Sequence, residues 1–384
     1  MGMEGFGLYI HIPWCRSKCL YCDFNSHAAN SWPEDRYVEA LVAELDRCAE
    51  SEVWHGRRID SVFFGGGTPS LFSARSIERV IEAAADRFPL STSAEVSLEA
   101  NPGTVSVEKL RAYGATGINR ISFGIQSFHP HLLKLLGRFH TAEETRLAAP
   151  MAREAGFENV NLDLIFAVPG QGLDDWRSDL DTVISFRPEH VSAYNLTYEE
   201  GTAFFALRAE GRIRPVSEDV EAEMFDEART RLGAAGYCAY EVSNFALPGF
   251  ETRHNLNYWQ AGAYLGLGAG AHSYYSLRPG GRRWANEEDP GRYVDRILSE
   301  GNAIVFEETL DGRKSAGEFA FLNLRLAEGF PEARFRERFG RKIDEVFPAV
   351  TEMEASGLLE RRGGRLSLTP RGLRVADSVF TAFL

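Results

Sequence analysis

Short apolar runs alternate with longer amphipathic segments through residues 7–200. The runs have the length of buried strands, and the segments between them carry apolar residues at helical spacing, such as Tyr37, Leu41 and Leu45 in a helix predicted over 34–50. The predicted strands are 7–13, 60–64, 94–100, 120–126, 160–166 and 190–196, with a further helix over 73–87. Repeated strand–helix units predict a parallel sheet covered by helices. Six such units predict an α/β fold built on a partial (β/α)6 barrel, because a complete barrel of this type has eight strand–helix units.

Polar and glycine residues recur where these predicted strands end. A loop with three cysteines follows the first strand, and later strand ends carry Gly66, Gly67, Thr68, Glu99, Gln126, Asp163 and Thr197. The carboxyl ends of parallel barrel strands meet at one rim, where functional residues gather. The sequence therefore predicts a single functional site at this rim.

The pattern changes after about residue 300. Helical periodicity runs through 314–327 and 331–356, and 357–369 reads as a hairpin that turns at Gly363 and Gly364. Helices followed by a hairpin resemble a winged helix, so we predict a barrel domain over 1–300 and a smaller helical, winged-helix-like domain over 301–384. The arginines of this C-terminal domain suggest DNA binding. The acidic residues on the neighbouring helices and the net negative charge of the whole chain disfavour nucleic acid as a partner.

Charge and cysteine content narrow the class of protein. The 384 residues carry a formal net charge of -13, which repels nucleic acid and anionic lipid. Three of the five cysteines lie within eight residues, which is not a disulfide framework and indicates a reducing compartment. We see no signal peptide and no segment long enough to span a membrane, and we expect a cytoplasmic protein.

The spacing of Cys15, Cys19 and Cys22 is the strongest chemical signal in the chain. Three thiolates can hold three corners of a [4Fe–4S] cluster and leave the fourth iron open to another ligand. A Cys₃His zinc site completed by His11 or His27 is the alternative, although zinc modules usually bring a second cysteine pair.

Four further segments are considered as ligand contacts. The turn 65–69 follows a strand, and its backbone N–H groups are expected to bind a carboxylate, the alternative being a tight turn alone. Asp163 lies in an apolar strand, where a carboxylate is costly without a partner. The glycine-rich run 266–272 lacks the context of a dinucleotide loop, so we expect close packing or the close approach of a ligand there. For the run 253–259 (RHNLNYW), the residues alone favour a surface turn with a packed Trp, and the alternative is that His254 binds haem iron.

Several motifs together resemble one family. The cysteine motif with Tyr21 before its last cysteine is similar to the radical S-adenosylmethionine (SAM) superfamily. The runs 9–15 (YIHIPWC), 65–69 (GGGTP), 122–128 (SFGIQSF) and 161–170 (NLDLIFAVPG) resemble the oxygen-independent coproporphyrinogen III oxidase family. The run 254–259 (HNLNYW) is similar to the signature of its haem-chaperone branch.

The resemblance implies roles for particular residues. Cys15, Cys19 and Cys22 would ligate a [4Fe–4S] cluster, and His254 would contact haem. The positions that match SAM contacts are Tyr9, Tyr21, Gly66, Gly67, Thr68, Glu99, Gln126, Arg138, Asp163 and Thr197.

Two departures separate the chain from the oxidases of this family. The oxidases have a fourth cysteine two residues after the third, where this chain has Phe24, and a longer tail before the residue that corresponds to Tyr9. The resemblance therefore implies a haem chaperone that delivers haem to recipient, respiratory haem apoproteins, some of them membrane-associated, and it allows a homodimer. The alternative is coproporphyrinogen III oxidase or another radical SAM enzyme.

Overall fold

The computed structural model describes residues 5–277 and 279–384. Its strands are β1 Gly5–Ile12, β2 Trp14–Cys15, β3 His27–Ala28, β4 Arg58–Gly66, β5 Leu90–Ala100, β6 Arg120–Gln126, β7 Val160–Phe166, β8 His190–Asn195, β9 Cys238–Ala239, β10 Asn244–Ala246, β11 Tyr264–Leu267, β12 His272–Ser276, β13 Gly281–Asn286, β14 Ile304–Leu310, β15 Phe330–Pro331, β16 Leu359–Arg362 and β17 Arg365–Leu368.

The helices occupy the segments between the strands. They are α1 Glu34–Glu50, α2 Ala74–Arg87, α3 Val107–Ala115, α4 Pro130–Leu136, α5 Ala142–Glu154, α6 Leu173–Ser185, α7 Ala203–Ala209, α8 Glu218–Ala234, α9 Arg253–Trp259, α10 Pro290–Ser299, α11 Gly312–Leu324, α12 Glu332–Phe339, α13 Ile343–Val346, α14 Ala349–Ala355, α15 Pro370–Leu373 and α16 Ala376–Thr381. A 3₁₀ turn, Pro69–Leu71, follows β4.

Six parallel strands form the centre of one large sheet in the order β1-β4-β5-β6-β7-β8. Helices connect β4 to β8 in succession, and α1 covers the step from β1 to β4. Most residues of these strands are buried, as expected where a parallel sheet is covered on both faces. The predicted α/β fold, a partial barrel followed by a smaller C-terminal module, is confirmed.

The sheet extends beyond the six predicted strands at both edges. β11 pairs with β1 in parallel and continues through β12, β13 and β14, while β10 and β9 follow β8. These added strands are short or mix charged and apolar residues, so their periodicity is weak in the sequence. β14 pairs with β13 inside the large sheet, and the domain division at residue 300 stays a prediction.

The glycines of the run 266–272 serve close packing, as expected. A Cβ atom at Gly266 would overlap the backbone carbonyl of His272, and Gly268 and Gly270 have φ angles of 104° and 71°. Only glycine adopts such angles at little cost, so the chain can fold back tightly from β11 into β12.

The C-terminal module packs six helices, α11 to α16, around a three-stranded sheet in the order β15-β17-β16. The hairpin of β16 and β17 turns at Gly363 and Gly364, as predicted. The continuous helix expected over 331–356 is wrong, because Gly340 ends α12 in a left-handed conformation and Pro348 starts a new helix. The module has its own core, in which Phe319, Phe330 and Phe335 are almost fully buried.

Gly317 should be intolerant of a larger side chain. It lies in α11, and a Cβ atom there would overlap the carbonyl oxygen of Phe383. We expect Gly317→Ala to destabilise the protein by about 1–3 kcal/mol, the usual cost of overpacking. Urea unfolding measures this, with Gly233→Ala in α8 as control, because a Cβ atom at Gly233 meets nothing within 4 Å. Equal stability of the two variants would contradict the packing argument.

Candidate functional site

The loop with the three cysteines is fixed to the barrel rim by backbone hydrogen bonds. β2 and β3 pair at its two ends, where the amide of Ala29 donates to the carbonyl of Cys15 at 2.9 Å. In its middle, the amide of Leu20 donates to Leu136 at 3.2 Å, and the carbonyl of Leu20 accepts from Phe204 at 2.9 Å. The loop is thus held between α4 and α7 rather than lying free on the surface.

Each thiol of this loop has one polar side-chain neighbour. Thr68 Oγ1 donates to Cys15 Sγ at 3.3 Å, Arg138 Nη1 donates to Cys19 Sγ at 3.4 Å, and Ser26 Oγ lies 3.8 Å from Cys22 Sγ. Burial raises the pKa of Cys15 and of Cys22, which Thr68 and the Phe24 backbone partly offset. Donors directed at sulfur are the surroundings that stabilise a metal-bound thiolate.

The zinc alternative finds little support in the histidines near this loop. Both ring nitrogens of His11 are engaged, Nδ1 with Tyr9 Oη at 2.9 Å and Nε2 with the carbonyl of Asn25 at 2.8 Å. Nε2 of His27 lies 3.0 Å from Asn25 Oδ1. Within residues 5–277 and 279–384, no three His, Cys, Asp or Glu side chains are gathered tightly enough for a single metal ion.

The turn after β4 holds the cysteine loop. Gly66 has a φ of 107°, and a Cβ atom there would lie 2.5 Å from the His11 ring, so the position requires glycine. The amide of Gly67 donates to Ile12 at 2.8 Å and that of Thr68 to Trp14 at 2.9 Å. These two amides already pair with the strand that leads into Cys15, and the expectation that the turn 65–69 binds a ligand carboxylate stays a prediction.

Asn101, which sequence reasoning missed, joins several of the predicted residues. Its Nδ2 donates to Thr68 Oγ1 at 2.9 Å, and its Oδ1 accepts from Arg138, which also donates to the carbonyl of Gly124 at 2.6 Å. Asn101 comes two residues after Glu99 at the end of β5. That position was the available signal, since every residue just past a parallel strand is a rim candidate.

Glu99 and Asp163 place two carboxyl groups inside the barrel near the rim. Burial, followed by the negative charge of Asp163, raises the pKa of Glu99 to about 8, and the amide of Gly66 partly opposes this. Burial also raises the pKa of Asp163, whose carboxylate accepts from Asn161 at 2.7 Å and from Ser122 at 3.2 Å. The positive charge of the buried Arg120 lowers both pKa values in part, so the pair already has one cationic neighbour.

Gln126, Tyr21 and Thr197 complete the predicted rim. Gln126 ends β6 with a φ of 64°, and its buried Oε1 has no hydrogen-bond partner in the described part of the chain. Burial raises the pKa of Tyr21, whose hydroxyl contacts Arg138. Thr197 is exposed just past β8. A strained backbone and an unsatisfied acceptor at Gln126 are features of a ligand site.

The run 253–259 forms α9, which packs beside β4 rather than in a surface turn. Glu95 accepts from the first amides of this helix, Arg253 at 3.1 Å and His254 at 3.3 Å. His254 is only 1% exposed and stacks on Phe63 with ring centroids 5.1 Å apart.

Both ring nitrogens of His254 are engaged. Nδ1 lies 2.9 Å from Ser61 Oγ, and Nε2 lies 2.9 Å from Tyr258 Oη. Burial, with the positive charge of Arg120, lowers the pKa of His254 to about 3, so the ring is neutral. The imidazole is thus held within the barrel wall, and its predicted contact with haem stays a prediction.

A cavity of about 540 Å³ lies between the cysteine loop, the end of α9 and the C-terminal module. Its volume is in the ordinary range of small-molecule sites. Its lining is mainly aromatic and histidine side chains, among them Tyr9, Phe24, Tyr258, Trp259, Tyr264 and His272. Phe24, which follows the last cysteine by two residues, is 64% exposed.

Comparison with known proteins gives the family. The radical SAM superfamily profile matches residues 9–183, and the HemN C-terminal domain profile matches residues 310–375. The curated heme chaperone HemW of Bacillus subtilis is 36% identical over 98% of this chain and 98% of its own, and that of Escherichia coli is 38% identical over 98% and 97%. The chain belongs to the heme chaperone HemW family.

The fold match extends to a solved structure. The coproporphyrinogen III oxidase HemN from Escherichia coli, a radical SAM enzyme, aligns with a TM-score of 0.84 at 22% identity, over 99% of this chain and 90% of its own. At that identity the match establishes the fold alone.

Membership of the radical SAM superfamily implies a [4Fe–4S] cluster and SAM. The donor set fits both groups, because the three thiols have polar neighbours and the barrel also holds two carboxyl groups and an unpartnered oxygen of Gln126. No helix in the described residues has the length and apolar character to span a membrane.

Asn101 should stabilise the rim even without any bound group. We expect Asn101→Ala to lower the free energy of unfolding by about 1–3 kcal/mol, because Thr68 and the poorly accessible Arg138 lose a partner. Urea unfolding of the apoprotein measures the loss, and Thr197→Ala is the control, with an expected change within about 0.5 kcal/mol at an exposed rim position. If Asn101→Ala were as stable as wild type, the hydrogen bonds of Asn101 with Thr68 and Arg138 would not contribute to folding stability.

Proposed function

We propose that this chain is a haem chaperone that binds haem and delivers it to recipient haem apoproteins, respiratory ones at the membrane among them. Full-length similarity to curated heme chaperones supports the proposal. The observation that carries it is the aromatic cavity beside the cysteine loop, where Phe24 occupies the position of the fourth cysteine of the oxidases. A flat apolar ligand such as haem fits walls of this kind.

In this proposal Cys15, Cys19 and Cys22 hold the cluster. The cluster would supply an open iron site, and residues of the chain would stabilise the thiolates and surround SAM. Thr68 and Arg138 donate to two of the sulfurs, which stabilises the thiolates and limits their movement. The rim residues Tyr9, Tyr21, Gly66, Gly67, Gln126 and Thr197 would surround SAM, with Glu99 and Asp163 facing its positive charges.

His254 belongs to the proposed haem site through its neighbour. Its Nε2 lies within hydrogen-bonding distance of the hydroxyl of Tyr258, and Tyr258 lines the cavity. A chaperone must also release its cargo, which requires a site whose affinity falls when the recipient is bound. A cavity with one wall from the C-terminal module suits that requirement better than a closed pocket within the barrel.

The function is tested by transfer of haem. Anaerobically reconstituted protein is loaded with ferric haem and mixed with an apo-haem protein, and absorbance reports haem arriving on the recipient. We expect transfer from the loaded chaperone and no conversion of coproporphyrinogen III by the reduced protein with SAM. Conversion at an enzymatic rate would favour the oxidase alternative, and failure to bind haem would overturn the proposal.

The cluster assignment has its own control within the chain. We expect Cys19→Ala to lose most of the iron found in wild type, where reconstitution should approach the four irons of one cluster. Cys238→Ala should retain it, because Cys238 is an exposed residue of β9 outside the loop. Iron retained by Cys19→Ala would contradict the assignment.

Binding of SAM should depend on pH through Glu99. Its pKa of about 8 means that the apoprotein keeps a proton at neutral pH, which must leave before the carboxylate can pair with an ammonium group. We expect SAM affinity to rise between pH 6 and 7.5, by about tenfold per unit at most. Calorimetry on Glu99→Gln should show weaker binding without that slope, and an unchanged slope would remove Glu99 from the site.

The raised pKa of Glu99 also affects the free energy of unfolding, which should fall as pH rises, whereas SAM affinity should increase. Because the folded-state pKa of Glu99 lies above its ordinary 4.5, its contribution favours folding at acid pH and is lost as pH rises from about 4.5 to 8. Glu99→Gln should therefore lose less stability than wild type over that interval.

A further inference from the structure

The histidines around the aromatic cavity differ in whether their ring nitrogens are free. His11 lines the cavity, but Tyr9 and the Asn25 carbonyl engage its two nitrogens. His254 lies behind Tyr258, with both nitrogens within hydrogen-bonding distance of hydroxyls. Neither ring can present a lone pair to the cavity without first breaking a buried hydrogen bond, which is costly.

His272 is different. It begins β12, lines the cavity and is exposed to solvent. Its imidazole makes no hydrogen bond and no ion pair with any residue in the described part of the chain. A neutral imidazole with a free nitrogen beside aromatic walls is the usual axial ligand of haem iron.

We infer that His272 is the residue that binds the iron of haem in this cavity, and that His254 is a positioning residue that holds Tyr258 in the cavity wall. The inference rests on the proposed haem-chaperone function and names the ligand that carries it. It gives the iron to a histidine for which the sequence suggested no role, and it gives a positioning role to the histidine of the 254–259 motif.

The walls of the cavity agree with a porphyrin lying against His272. Phe24, Trp259 and Leu322 offer apolar surface, and they come from the cysteine loop, α9 and α11. Asp23 and Glu288 are the acidic residues of the lining, and none of its residues is Lys or Arg. Carboxylates would repel the haem propionates, so the propionates should point out of the cavity toward solvent.

The accessible position of His272 also suits the release of cargo. The turn before β12 contains Gly268 and Gly270, both with positive φ, and the histidine lies at the cavity edge rather than within the barrel. A recipient apoprotein can therefore approach the iron from the solvent side without opening the barrel. His254 offers no such approach, because it is 1% exposed.

The inference is tested by titrating ferric haem into the full-length, cluster-reconstituted protein and following the Soret band, with electron paramagnetic resonance to report the axial ligand. We expect His272→Ala to raise the dissociation constant about tenfold or more, equivalent to about 1.4 kcal/mol. It should also lose the imidazole signature, which is the electron paramagnetic resonance signal of haem iron with an imidazole ligand. Added imidazole should restore that signature. His272→Met should change the ligand-dependent spectrum while keeping the cavity filled.

Two other histidine variants separate ligand from scaffold. His55→Ala, at an exposed position outside the cavity lining, should bind haem as wild type does. His254→Ala should weaken binding yet keep the imidazole signature, because it loosens Tyr258 without removing the ligand.

The possible results also distinguish this inference from the proposed function. Wild type that binds haem, together with His272→Ala that keeps both affinity and signature, would overturn the role of His272 and leave the chaperone proposal intact. Loss of the signature in His254→Ala but not in His272→Ala would return the ligand role to His254. Wild type that binds no haem would overturn both.

Discussion

The site depends on a chain of hydrogen bonds that connects two strand ends to the cysteine loop. Thr68 follows β4 and donates to Cys15, Asn101 follows β5 and bonds both Thr68 and Arg138, and Arg138 donates to Cys19. Neighbouring parallel strands bring their carboxyl ends together, so residues far apart in sequence meet at one rim. Leu20 and Tyr21 pack the loop against the apolar cluster that contains Leu136 and Phe204, and the polar contacts add partners for two of its thiols.

Much of the barrel could be predicted because its strands are strongly apolar and its helices strongly amphipathic. The bounds of β6, β7 and α1 match the prediction at both ends. The added strands β9 to β14 were not visible, since a strand such as β13, with two arginines and a tryptophan, has no clear alternation. Their pairing is decided by neighbours in space, which no local pattern records.

Individual site residues were predictable by type and place, but their partners were not. Glu99 could be identified as a carboxyl group near a strand end and Asp163 as one within an apolar strand, whereas the rise that Asp163 causes in the pKa of Glu99 follows only from how β5, β6 and β7 lie side by side. The motif in α9 drew attention to His254, yet burial and two hydroxyl partners give that ring a structural environment. His254 is buried and both of its ring nitrogens have hydrogen-bond partners, whereas His272 is exposed and its ring has none in the described part of the chain.

Leu322 gives the cavity a property that neither module has alone. It lies in α11, so the barrel supplies most of the enclosure and the C-terminal module supplies one wall. That helix follows β14 after one residue and contacts both β14 and α9, so its position is tied to the edge of the large sheet. The width of the cavity on this side is therefore set by the packing of the two modules against each other.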